Sequence, residues 1–203
     1  MQASKILLSE EELKLAENSD WILTKNQIIK KIISLFAQLA DSYREATNAS
    51  KEFLPEEVLG TSPKISRGEQ YQGLPYVMLD YPRVFSKEDV FAIRTFFWWG
   101  NFFSLTLHLK GKYKQEFGNN LKTNISLLSQ HNFFIAESKD EWRQDFEADN
   151  YTPVIKTDPD SLIQKVDGKD FLKLAVKWPL KSSNEIATVL ENHHALLMRV
   201  IVG

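Results

Sequence analysis

The chain has 203 residues, no cysteine, and a net charge of −2 with a pI near 6.1. The lack of cysteine excludes a disulfide scaffold, thiolate zinc sites, iron–sulfur clusters and a cysteine nucleophile, and the charge argues against a general nucleic-acid binder, which carries a basic domain or stripe. With 43% hydrophobic residues the chain is long enough to bury roughly 70% of its extended surface in one domain, so disorder is excluded for most of it.

The N-terminus, MQASKILLSEEELK, has an apolar run of only Ile6 to Leu8 before three acids, so it does not read as a secretory signal, and a cytoplasmic location is expected. Ser9 and Glu12 form a capping box, with Leu8 and Leu13 placed for a hydrophobic staple. The same grammar recurs at Thr24 and Gln27, with Leu23 and Ile28 as the staple. Downstream, Ile28, Ile32, Leu35, Phe36, Leu39 and Tyr43 recur at helical spacing. A long helix from about Lys25 to about Asn48 follows, one stripe facing a core.

The middle of the chain reads as sheet. Short strands are expected at Lys64–Glu69 and Pro75–Tyr81, with Pro82 ending the second. Ser86 and Asp89 suggest a helical turn, and a strand begins at about Ile93. Phe102 to Lys110 alternates strictly: Phe103, Leu105, Leu107 and Leu109 on one side, Ser104, Thr106, His108 and Lys110 on the other. Gly100-Asn101 reads as a two-residue hairpin turn, which pairs Trp99 with Phe102, Trp98 with Phe103 and Phe96 with Leu105. Phe91 to Leu109 is nearly long enough to span a bilayer, but Arg94, His108 and the Gly100-Asn101 turn inside it favour a buried soluble hairpin.

Beyond the hairpin, Tyr113, Phe117, Leu121, Ile125 and Leu128 mark a helix with a break at Gly118, and Phe133–Glu137 reads as a strand. Lys139–Asn150 reads as a solvated acidic loop. Asp158-Pro159 opens a short helix that Gly168 ends. In Phe171–Trp178 the residues Leu172, Leu174, Val176 and Trp178 share one face, and Ser182 with Glu185 opens a final helix. The order fits an α+β fold: an antiparallel sheet of five or six strands around the aromatic hairpin, packed by the N- and C-terminal helices. A single domain over 1–203 is expected, with a helical part at 9–48 and the sheet in 64–203.

Seven aromatic residues crowd into the thirteen positions 91–103. On the expected pairing, one hairpin face carries Phe96, Trp98, Phe103 and the leucines, with Arg94 among them. The other mixes Phe91, Phe97, Trp99 and Phe102 with Thr95, Ser104, Thr106 and His108, as a small-molecule pocket does. The candidate ligand-binding residues are therefore Arg94, Phe97, Trp99, Phe102, Ser104, Thr106 and His108. A buried Arg94 needs a partner: a carboxylate of the fold, or an anionic ligand.

Ser104 and His108 lie roughly 13 Å apart along a strand, too far for a hydrolase dyad. His193 and His194 are adjacent on a helix and do not form the i, i+4 pair of helical metal sites. Glu137-Ser138-Lys139 has the Glu-x-Lys spacing of nuclease metal sites, but no aspartate lies between Asp89 and Glu137 to complete it. Phosphate-binding glycine loops, HExxH and GxSxG are absent.

No cofactor, nucleic-acid partner or membrane association is read from the chain. The reading reached is a non-catalytic domain that binds a small molecule or peptide on the hairpin face. Two others stand beside it. In one, an assembly subunit exposes Trp99, Phe97 and Phe102. In the other, a metal-assisted hydrolase uses the 137–149 carboxylates with a histidine.

Overall fold

A computed structural model describes residues 6–203; residues 1–5, where the stretch read above for a secretory signal begins, lie outside it. The elements are α1 (Glu10–Glu17), α2 (Ser19–Ala49), α3 (Glu56–Leu59), β1 (Lys64–Tyr71), β2 (Leu74–Phe85), β3 (Val90–Trp98), β4 (Phe102–Lys110), α4 (Lys112–Thr123), α5 (Ile125–Gln130), β5 (Phe134–Ala136), β6 (Tyr151–Pro153), α6 (Pro159–Asp167), β7 (Phe171–Pro179) and α7 (Ile186–Val202). The strands form one antiparallel sheet in the order β1-β2-β3-β4-β7-β5-β6. The α+β architecture and both terminal helices are as the sequence indicates, and no described helix is long and apolar enough to cross a membrane.

Ser9 caps α1 with the reciprocal capping box to Glu12. The long helix starts six residues before its expected position, because Asn18 accepts from the Trp21 amide and serves as the cap. Thr24 and Gln27 are then interior residues of α2, and their capping grammar is not used. Asp158 caps α6 by accepting from Asp160 and Ser161, and Gly168 ends it. The helix after β4 passes through Gly118 and breaks at Asn124 instead.

Pro82 does not end β2. The strand continues to Phe85, and the ladder shifts register between Asp80 and Arg83, so the residue without an N–H lies where pairing is interrupted. Ser86–Asp89 is a turn, not a helix: the Ser86 hydroxyl accepts from the Asp89 amide, and β3 begins at Val90.

The sheet has two unlike faces. One carries Val77, Leu79, Phe91, Ile93, Phe97, Leu105, Leu107, Leu109, Leu172, Leu174 and Val176. These are buried with α2, α4 and α7 in the main core, where Phe36, Tyr43, Tyr113, Leu190 and Leu197 supply the helix side. All the long helices described lie against this face. His194 sits fully buried here, its ring stacked on Tyr43 at 3.8 Å, while the Tyr43 hydroxyl meets Thr95 at 3.0 Å. Among the described residues, no helix covers the opposite face. Residues 137–150, the link between β5 and β6, lie across it as an irregular strap.

Candidate functional site

The link between β3 and β4 has three residues, Trp99-Gly100-Asn101, with Gly100 at φ +72° and the Asn101 amide donating to Trp98 O at 3.0 Å. Trp98 therefore pairs with Phe102, Phe97 with Phe103 and Phe96 with Ser104. The expected two-residue turn is off by one. Side chains alternate with period two, so a slip of one residue exchanges the faces of one whole strand relative to the other.

This correction redistributes the candidate residues. Phe97, Phe91 and Thr95 turn toward the helices, and Trp99 leaves the strand to pack at the margin of the main core. Arg94, paired with Thr106, joins Phe102, Ser104 and His108 on the strap side. Thus five of the seven candidates share one face, while Phe97 and Trp99 do not. Phe97 and Phe102 are buried and Trp99 is half-buried, so these three do not form an exposed partner surface.

Arg94 finds a carboxylate of the fold. Its Nε donates to Asp80 Oδ1 at 2.7 Å and Nη2 to Oδ2 at 3.1 Å, a bidentate pair beside the Phe85 ring. The remaining nitrogen, Nη1, has no acceptor among the described residues. Next to it, Lys173 is buried and donates from Nζ to the carbonyls of Glu141 and Arg143 in the strap. Burial, reinforced by the Arg94 charge, pushes its pKa down to about 7. His108 stands among three cations. Burial, then Lys173, Arg94 and Lys110, push its pKa down to about 3, so it is neutral and donates from Nε2 to Glu141 Oε2 at 3.0 Å. Lys110 takes the other oxygen of Glu141 at 2.8 Å.

The acidic strap is not a solvated loop. Asp145 and Asn150 are buried, and Asp145 accepts two hydrogen bonds from Arg143, at 2.8 and 3.1 Å. The amides of Gln144 and Asp145 donate to the Tyr71 hydroxyl at 2.7 and 3.2 Å. Phe146 is the strap's apolar anchor: it stacks on Tyr151 at 4.7 Å and meets Phe102 and Phe134 edge-on. Beneath the strap lies a cavity of about 10 Å³ lined by Phe85, Ala92, Arg94, Thr106, His108, Gln144 and Lys173. That is room for one water-sized group. Gln144 Oε1, Ser104 Oγ and the Tyr151 hydroxyl are buried there or nearby without a partner.

Space for a larger ligand opens at the margin of the strap. A groove of about 260 Å³ runs over β1 and β2, lined by Lys64, Ser66, Met78, Asp80, Arg83, Phe85, Arg94 and Trp142. Phe85 and Trp142 are 39% and 49% exposed, with ring centroids 6.0 Å apart. A wider open cleft of about 760 Å³ beside α4 holds five lysines. All five have partners: Lys110 in Glu141, Lys122 in Asp167, Lys87 in Glu88, Lys114 in the Lys169 carbonyl and Lys169 in the Ala136 carbonyl.

The histidine–carboxylate contact that a metal-assisted hydrolase would need exists once, between His108 and Glu141, and Lys110 shares that carboxylate. Among the described residues, no group of three His, Cys, Asp or Glu comes together to hold a metal ion. Glu137, of the Glu-x-Lys triplet, pairs with Lys165.

Lys64, Asp80, Arg83, Phe85, Trp142 and Lys173 join the site without having been candidates on the sequence. Lys173 had a signal, because it occupies the polar phase of an alternating strand. Asp80 had none, standing between an apolar strand and Pro82. Compared with known protein families, curated proteins and solved structures, the chain shows no match.

Proposed function

We propose that the protein binds a small, planar, anionic molecule in the groove between Trp142 and the β1–β2 surface. The observation that carries this is the exposed Phe85–Trp142 pair flanking a floor in which Arg94 keeps one donor nitrogen free. Two large aromatics left at a groove offer a stacking surface for a flat ring. Lys64, Arg83 and Arg94 against the single carboxylate Asp80 give the lining a net positive charge. Lys64 has no ion pair among the described residues. A volume of about 260 Å³ lies at the small end of ligand sites, which suits a one- or two-ring acid.

The test is a fluorescence titration with benzoate and indole-3-carboxylate. A saturable change in emission is expected for the wild type. Trp142→Phe should abolish that change, and Lys64→Gln should weaken the affinity several-fold while leaving the fold intact. No saturable response up to ~10 mM, the weakest binding such small ligands would give, would overturn the proposal.

A further inference from the structure

We propose that the N-terminal helical arm, residues 6–31, docks antiparallel against the same arm of a second copy of the chain, forming a two-fold dimer. Trp21, Ile22 and Leu23 are 49%, 46% and 56% exposed. Consecutive helix positions point about 100° apart, so three half-exposed neighbours mean that the body buries no side of α2 there. The first buried residue of α2 is Ile29, and α1 has none. The buried stripe of Ile29, Phe36 and Tyr43 has a seven-residue spacing that returns to nearly the same helix face. One step further it reaches Ile22, beyond the body. The arm thus continues a core-facing stripe past the body, touching the described residues of its own chain only at the β1 edge, through Lys25 and Glu69.

Eight large apolar side chains between residues 6 and 23 are exposed. Together they present on the order of 800 Å², which is what one partner contributes to a standard interface. Isolated apolar residues on a surface would need no explanation, but this density on one projecting element does.

Charge selects the occupant. Residues 10–20 carry five acids against one lysine, whereas residues 21–40 carry Lys25, Lys30 and Lys31 and no acid. Lys25 is held by Glu69, but Lys30 and Lys31 have no ion pair among the described residues, nor do Glu10, Glu11, Glu17 and Asp20. An acidic block followed by a basic block is self-complementary about a two-fold axis near Trp21. The acidic block of each copy then lies along the basic block of the other, over α1 (~12 Å) and the first thirteen residues of α2 (~20 Å), which meet at Asn18. The same polarity disfavours an anionic membrane, which would repel the first block.

The experiment is sedimentation of the full chain, with the mass expected at twice 23.5 kDa. Trp21→Lys with Leu23→Lys should give a monomer that still unfolds in one cooperative transition, since neither side chain is in the core. Glu11→Lys with Glu17→Lys, and separately Lys30→Glu with Lys31→Glu, should each give monomer. Mixing these two charge variants should restore a dimer, because each then supplies the sign that the other lacks. Three results would overturn the proposal: a monomeric wild type at every concentration, a dimer indifferent to Trp21→Lys with Leu23→Lys, or charge variants that stay monomeric on mixing. Binding of wild-type monomer to phosphatidylcholine vesicles in place of self-association would overturn it in favour of a lipid surface.

Discussion

Replacing His194 with phenylalanine should make the protein less sensitive to acid. The imidazole is fully buried against Tyr43, and neither ring nitrogen has a hydrogen-bond partner. Burial pushes its pKa down to about 3. The folded value lies below the unfolded value of 6.5, so in that interval the unfolded chain binds a proton that the folded chain excludes. The stability tied to this residue is complete above the unfolded pKa and falls as pH falls toward the folded one. From pH 7 to pH 5 the unfolded imidazole goes from mostly neutral to almost fully charged, while the folded one stays neutral. That differential costs about 2 kcal/mol.

Phenylalanine keeps an aromatic ring against Tyr43 and binds no proton. Urea unfolding at the two pH values measures the loss in each protein. The wild type should lose about 2 kcal/mol more than His194→Phe over the interval. His108 and the carboxylates act alike in both proteins, and any cost of fitting the larger ring is common to both pH values, so both cancel. Equal losses would refute a neutral, buried His194.

Lys173 carries the complementary alkaline signature. Its folded pKa of about 7 lies below the unfolded 10.5, so stability rises as pH rises through that window. Urea unfolding between pH 7 and pH 9 should show a gain about 2 kcal/mol larger in the wild type than in Lys173→Met. Gly111 and Gly118 should respond oppositely to alanine. A Cβ at Gly111, where φ is +59°, would stand 2.1 Å from Asp89 Oδ1, the acceptor for the Lys112 amide at the start of α4. Thermal unfolding should show a loss of about 2–3 kcal/mol. A Cβ at Gly118, inside α4, meets nothing within 4 Å, and a gain of up to about 1 kcal/mol is expected. Asp145→Asn should leave Arg143 paired with Asp149 alone and loosen the strap at a cost of about 2 kcal/mol, reduced from the fully buried case because Arg143 is partly solvated. Faster amide exchange at Gln144 and Asp145 would report it, and unchanged protection would refute the anchoring role.

The elements that were legible in the sequence are those whose signal is local. Ser9 with Glu12, Asp158 with Gly168, and the alternation of Leu105, Leu107 and Leu109 or of Leu172, Leu174 and Val176 each encode their structure within a few residues. The faces of the hairpin were not legible. Each strand states its own phase, but the phase between strands depends on whether the link at Gly100 has two residues or three, and both suit a glycine there. Asn18 was missed because a second capping pattern at Thr24 satisfies the same local grammar. The strap was missed because its hold on the sheet rests on Phe146 and two buried polar residues inside a strongly charged stretch, and tertiary partners such as Tyr71 and Lys173 lie 73 and 30 residues away. The Arg94–Asp80 pair is directly cross-strand at the edge of a register shift, a pairing that no sequence period announces.

The strand order has a consequence for how the chain assembles. Strands β1 to β4 are a meander joined by short links, so each pairing closes a small loop. Pairing β4 with β7 must instead close the sixty residues between Lys110 and Phe171. That costs about 2 kcal/mol more chain entropy than the four-residue link between β2 and β3. Neither β5 nor β6 has a place in the sheet until β7 is there, because β5 pairs only with β6 and β7. The strap connects β5 to β6, so it is the last cover to be fitted. Phe96 and Trp98 find Tyr71 and Tyr76 within the meander, but Phe102 lacks its Phe146 partner until the strap is in place, so a newly made chain leaves that aromatic edge of the sheet bare the longest.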